Sequence, residues 1–319
     1  MVAIPIREFI ASSKLAVDIF VQLSSGRFVQ VGKAGEVVAL ERLLHYESKK
    51  VEQLYVKKSD YSAYVDQNLV IAGMTLTRSD LNARKKSAFI AQVANSVLQE
   101  IDTLGFSVPT YNHARAVSRV TIDFIESKPK FRDVLAAVNE VSNDLFAHSL
   151  GTSIVSVILG QALGWSQQSV LEKLALGGLL HDIGMKEINT ELIHKTLAQM
   201  TFEERREYEL HPQKGMELLK TIDVVPEDVL AIVHEHHENA IGQGFPRRLK
   251  NLRIHPLARV VGLADLFCDL TIKSPTSKHL RPISEAVLYV DQNYGQCYPR
   301  DLIAALYESL QVKPQKKTA

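Results

Sequence analysis

Hydrophobic positions recur at two different periods along the chain, and the change of period divides it. Up to about residue 70 both periods are present. Residues 16–23 are β-branched and aromatic and partly alternate, which predicts a strand. Ser24-Ser25-Gly26 is a turn signal, and residues 27–31 are the return strand of a hairpin. Leu40, Leu43 and Leu44 share one face of a helix over 38–49, and Leu54-Tyr55-Val56 forms a third short strand. Ser59-Asp60 caps a helix through Tyr61, Tyr64 and Val65. Residues 71–85 are polar and weakly periodic and read as a linker. Beyond residue 85 apolar residues fall at three- and four-residue spacing, over 86–104, 111–127 and 130–163. Ser166 caps a helix that runs through Leu171, Leu174 and Leu180 into His181-Asp182. Thr201 and Glu204 have the spacing of a capping box opening a helix to about residue 220. Pro226 opens the next helix, which ends at His236-His237; a Gly/Pro-rich loop over 238–248 follows, then helices over 256–271, 283–294 and 299–310. The pattern is α+β overall: a small mixed α/β domain with its linker over 1–84, an all-α domain over 85–312, and a disordered tail over 313–319.

Composition changes this picture little. Hydrophobic residues make up 46% of the 319 positions and charged residues 23%, which is ordinary for a globular protein. A net charge of +1 argues against DNA as a partner and against non-specific attraction to membranes. No uninterrupted apolar run approaches the roughly 20 residues of a membrane span. Two cysteines, Cys268 and Cys297, make no disulfide framework, and with no secretory signal they predict a reducing, cytoplasmic setting. The first 70 residues hold no catalytic cluster and read as an accessory part for dimerisation, partner docking or input.

The chemistry concentrates elsewhere. Six of the eleven histidines lie between His181 and His237. Helix periodicity puts His148, His181, Asp182, His211, His236, His237 and Asp265 on apolar helix surfaces, while His234 falls about 200° from His236. One buried histidine is usually a hydrogen-bonded core residue. Five with two aspartates would each need a buried partner, and a divalent cation supplies one to all of them. Imidazole with carboxylate suits Fe, Mn, Zn, Co or Ni rather than Mg or Ca. Seven ligands exceed one ion's needs. With Asp182 using both oxygens they suit two ions about 3.5–4 Å apart.

In this order and spacing the residues resemble the HD superfamily of metal-dependent phosphohydrolases, and its HD-GYP branch in particular. The resemblance covers residues 140–275 and rests on Leu180-His181-Asp182-Ile183-Gly184, on Thr201-Phe202-Glu203-Glu204 ahead of His211-Pro212-Gln213-Lys214-Gly215, on His236-His237-Glu238 followed by Gly242-Gln243-Gly244-Phe245-Pro246, and on Ala264-Asp265. It implies an HD-type helical domain that hydrolyses cyclic di-GMP, or a related cyclic dinucleotide, to linear pGpG or GMP. His148, His181, Asp182 and Asp265 would hold one divalent ion, and Asp182, His211, His236 and His237 a second, with Fe the first expectation and Mn the next. His181 and Asp182 would be the catalytic pair. Three-metal members carry a glutamate where this chain has Asp144, so two ions are expected. The region before residue 85 is similar to the regulatory domains that precede such modules, where a protein partner could dock. The substrate shell departs from the family. Met185 replaces a lysine, Ile241 an aspartate and Phe245 the tyrosine of the motif, which removes a hydroxyl donor. The Lys-Pro-Gly of a mobile loop is missing from residues 193–197, and an Arg-Pro-Tyr-Lys/Arg stretch is replaced by residues 274–277. That leaves Lys273, Lys278 and Phe245 as substrate-binding candidates. The alternatives are a module that binds a nucleotide or protein without turnover, and a hydrolase for another phosphoester.

Overall fold

The computed structural model describes residues 1–6, 9, 14–37, 40–141, 143–275 and 279–313. Lys278 and most of the tail expected over 313–319 lie outside the described residues. An antiparallel sheet of four strands opens the chain: β1 (Val2–Pro5), β2 (Ile19–Gln22), β3 (Phe28–Gly32) and β4 (Gln53–Val56), in the order β1-β4-β2-β3. The hairpin of β2 and β3 and the strand β4 fall where alternation predicts them. β1 was not anticipated: only four residues long, it buries Val2 and Ile4 with period two and ends at Pro5 on the sheet edge, where proline costs no ladder bond. Helix α1 (Leu40–Ser48) lies between β3 and β4.

Twelve further α-helices follow: α2 (Tyr61–Leu76), α3 (Ala83–Leu104), α4 (Val108–Glu126), α5 (Phe131–Val138), α6 (Asp144–Ala162), α7 (Gln168–Leu180), α8 (Phe202–Tyr208), α9 (His211–Leu219), α10 (Glu227–Glu235), α11 (Pro256–Thr271), α12 (Ile283–Tyr294) and α13 (Arg300–Ser309). The linker expected over 71–85 is corrected. Ala72 and Thr75 continue the buried stripe of Tyr61, Tyr64, Val65 and Asn68, so α2 runs to Leu76 and only 77–82 connect it to α3. The helix expected over 130–163 is two, because Asn143 caps α6 by accepting from the Leu145 and Phe146 amides. α6 is apolar and long enough to cross a bilayer by length and composition, but 72% of that window is buried inside the protein and it carries His148.

Most of the buried apolar side chains form one continuous core from Val2 to Tyr307. At the seam between sheet and helices Gln99 of α3 donates to the Ala3 carbonyl at 2.9 Å. Beside it, polar groups are buried where α2, α3 and α4 meet. His113 Nδ1 stands 2.7 Å from Glu100, its Nε2 3.0 Å from Asp66, and the Ser62 hydroxyl donates to Glu100 at 2.6 Å. The Glu100 hydrogen bond raises the His113 pKa, opposed by burial and helped by the charges of Glu100 and Asp66. A raised folded-state pKa stabilises the fold at acid pH, and that contribution is lost as pH rises through the folded value. His113→Gln is therefore expected to lower Tm by about 5 °C below pH 6.5, with the gap closing at higher pH. Melting curves of both proteins across pH would show this, and a gap that widens with pH would refute it.

Candidate metal centre

Three histidines gain their orientation from the same physical feature, the unsatisfied carbonyls at a helix C-terminus. His181 follows the last residue of α7 and its Nδ1 donates to the Gly178 carbonyl at 2.8 Å. His236 follows α10 and donates to the Val233 carbonyl at 2.8 Å. His211 opens α9. The helix expected over 201–220 breaks just before it, because Pro212 has no N–H and its ring collides with the carbonyl four residues back. That carbonyl belongs to Tyr208 at the end of α8, and it accepts from His211 Nδ1 at 2.8 Å. Each Nδ1 proton is thus committed to backbone, and each Nε2 turns a lone pair inward.

The lone pairs converge on two carboxylates. Asp182 Oδ1 lies 3.2 Å from His211 Nε2 and 3.6 Å from His236 Nε2, while its Oδ2 lies 3.4 Å from His181 Nε2. Asp265 of α11 is 2.8 Å from His148 Nε2 of α6, 3.5 Å from His181 Nε2 and, through its other oxygen, 3.6 Å from His237 Nδ1. Two groups of ligand atoms, each within 4.8 Å of one another, could hold a metal ion: Asp182, His211, His236 and His237, and His148, His181 and Asp265. The donors fit such an ion. His181 Nε2 is buried and makes no hydrogen bond although two carboxylate oxygens stand near it. His211 Nε2 and His236 Nε2 face each other at 3.4 Å with both Nδ1 protons already used. Lone pairs arranged this way repel unless positive charge lies between them. Protonation answers the same demand. Burial opposes charge on His148, yet the Asp265 hydrogen bond and the charges of Asp269, Asp265 and Asp182 raise its pKa to about 9. Burial acts against charge on Asp182 and Asp265 also, but the surrounding histidines hold both well below the usual carboxylate range. Burial and neighbouring imidazoles push the pKa values of His236 and His237 down, which favours the neutral form that ligates a metal.

Above these groups opens a cleft of about 840 Å³, a size that suits a nucleotide. Phe245 lines it with its ring 4.4 Å from that of His237. Met185 lines it too, but packs with Ile188 and Leu192 in a small apolar cluster, so it offers a substrate no charge. Ser274 and Pro275 border the cleft, whereas Lys273 does not, which corrects its assignment to substrate. After α11 the chain is extended, so alternate residues point opposite ways: Ile272 and Ser274 turn inward and Lys273 outward. Lys273 lines a separate cavity of about 670 Å³ together with Asp144, which is exposed and belongs to neither ligand group. Several cleft residues were not anticipated. Asp269 follows Asp265 by one turn of α11 and lies 3.6 Å from His148 Nδ1; its i,i+4 spacing was the available signal. Tyr208, three residues before His211, packs its ring 5.0 Å from that histidine and 6.0 Å from Phe245. Arg205 and Lys195 supply the positive charge at the rim, paired with Glu209 at 2.9 Å and with Glu204.

Comparisons with known proteins agree with this geometry. A family model described as an HD domain matches residues 119–302. A cyclic di-GMP phosphodiesterase of Pseudomonas aeruginosa is 29% identical over 42% of this chain and 32% of its own length. A 3'3'-cGAMP-specific phosphodiesterase of Vibrio cholerae is 27% identical over 46% and 31%. A cyclic di-GMP phosphodiesterase of Thermotoga maritima is 26% identical over 57% and 50%. The chain thus spans a third to a half of these relatives' lengths. A solved structure of an HDG"Y"P protein from Bdellovibrio bacteriovorus shares the fold, with a TM-score of 0.70 at 21% identity over 97% of this chain and 99% of that one. With more than half of its length matched by the domain model and its seven histidines and aspartates drawn together, the chain belongs to the HD-domain family.

Proposed function

We propose that this protein is a metal-dependent phosphodiesterase that hydrolyses cyclic di-GMP or a related cyclic dinucleotide to a linear product. The observation that carries the reading is Asp182, whose two oxygens face two adjoining ligand groups at the floor of a nucleotide-sized cleft. The names of the Pseudomonas, Thermotoga and Vibrio relatives support the substrate class. Bound divalent ions, Fe foremost and Mn next, would lower the pKa of water and offset charge on phosphorus. His148, His181, Asp182 and Asp265 would hold one, and Asp182, His211, His236 and His237 the other. The chain's own work is positioning. Helix-end carbonyls fix three imidazoles, Asp182 spans the two groups, and the rings of Phe245 and Tyr208 shield His211 and His237 from water. The N-terminal sheet would carry regulatory input. Cys268 and Cys297 are both free and buried, which supports the cytoplasmic setting.

The test is anaerobic loading with Fe(II) or Mn(II) followed by incubation with cyclic di-GMP and with 3'3'-cGAMP. Linear dinucleotide or mononucleotide is the expected product. A second reading, a module that binds nucleotide without cutting it, is favoured by the buried Met185 and the hydroxyl-free Phe245. Calorimetric binding without product from the loaded protein would establish that second reading and reject the first.

A further inference from the structure

Arg205 forms part of the wall of a second pocket beside the metal cleft, of about 480 Å³ and lined by Phe202, Arg205, Arg206, Glu209, Pro246 and Arg248. Three arginines and one glutamate line it. Glu209 pairs with Arg205 at 2.9 Å and stands 4.0 Å from Arg248, so positive charge is left over. The Arg206 guanidinium lies 5.9 Å from the Phe202 ring centroid, and Phe202 is 71% exposed. An exposed aromatic face beside surplus arginine is the pairing that stacks a base and binds its phosphate. Arg248 is held there at some cost. Its φ of +55° is in the left-handed region, and the buried Glu238 fixes the loop by accepting from the Arg247 and Leu249 amides at 2.6 and 2.8 Å. Glu238 directly follows His237, so the segment that supplies a metal-facing imidazole also positions this pocket.

A cyclic dinucleotide carries two phosphates and two bases, and the metal centre acts on one phosphodiester at a time. We propose that the Phe202–Arg206–Arg248 pocket receives the other phosphate and its base, an inference that rests on the phosphodiesterase reading above. Arg205 is the shared wall across which the nucleotide extends. The pocket then sets preference for substrates with a second phosphate and contributes nothing to cutting a diester that has only one.

The experiment compares metal-loaded wild type with Arg248→Asn, which keeps a residue tolerant of the left-handed backbone, and with Phe202→Ala and Arg206→Gln, which alter exposed side chains. Each is assayed on cyclic di-GMP and on bis(p-nitrophenyl) phosphate, and calorimetry measures binding of the linear dinucleotide pGpG. The variants are expected to raise KM for cyclic di-GMP by about tenfold and to weaken pGpG binding equally. Their kcat on bis(p-nitrophenyl) phosphate is expected to stay within about twofold of wild type. Wild type that cuts cyclic di-GMP while all three variants keep its KM and pGpG affinity overturns the pocket's role alone. Wild type that neither binds nor cuts a cyclic dinucleotide overturns the phosphodiesterase reading and the pocket with it. Equal losses on both substrates would also overturn it, since they would mean damage to the metal centre.

Discussion

Asp182→Asn is expected to cut metal content from about two ions per chain to one or fewer, and to lower phosphodiesterase activity by at least about 10³-fold. The reason is the double role of one side chain. Oδ1 faces His211 and His236 while Oδ2 faces His181, so either orientation of an asparagine amide puts an NH₂ donor where one group needs an acceptor. Shape is preserved, but the metal-free variant should melt below metal-free wild type at neutral pH, because the carboxylate charge that the surrounding histidines favour is lost. Loaded proteins should differ. Ions that bind only the folded state raise Tm by mass action, so stripping them with a chelator lowers the wild-type Tm more than the variant's. Metal analysis, melting curves with and without chelator, and turnover of cyclic di-GMP check this together. A variant with two ions per chain and full activity would remove Asp182 from its bridging role.

The ligands were legible because each sits on a periodic helix or directly at its end. His148, His236 and Asp265 fall on the apolar stripe of their helices, and nothing but spacing is needed to see that they face inward. What was hidden depends on the chain's local direction. Lys273 looked available to a substrate from its distance in sequence, but a single extended residue decides which side it faces, and periodicity of helices carries no such information. Tyr208 and Arg205 both line the cleft from α8 at i,i+3 spacing, yet the long helix expected over 201–220 concealed where that side points. Pro212 was the missed cue. A proline inside the expected run 201–220 ends one helix and starts another, and the carbonyl it releases is the one that orients His211. β1 and the second half of α2 were missed for a different reason. Four residues give too few alternations to recognise, and Thr75 reads as polar although its hydroxyl is satisfied by the Ile71 carbonyl at 2.7 Å.

Gly184→Ala is expected to destabilise the protein by at least about 3 kcal/mol, a Tm lowered by roughly 6–12 °C, and to release the metal held through His211. Gly184 lies two residues beyond Asp182, where the short 3₁₀ turn Ile183–Glu187 crosses α9. A Cβ there would come within 2.0 Å of the His211 carbonyl oxygen and 2.5 Å of the Gly215 nitrogen. Both are backbone atoms, so no rotamer change relieves the overlap, and α9 must move away. His211 moves with it, losing its approach to Asp182, while His148, His181 and Asp265 are carried by α6, the end of α7 and α11 and stay together. The same close packing recurs on the other side, where a Cβ on Gly262 of α11 would stand 2.2 Å from the His236 carbonyl oxygen. The two glycines thus let the histidine-bearing segments approach closely enough to share one carboxylate pair. Gly73→Ala is the control, since nothing lies within 4 Å of a Cβ there and α2 should gain about 0.5–1 kcal/mol of helix stability. If Gly184→Ala melts with wild type and still binds two ions, backbone contact between the turn and α9 is not what sets the position of His211.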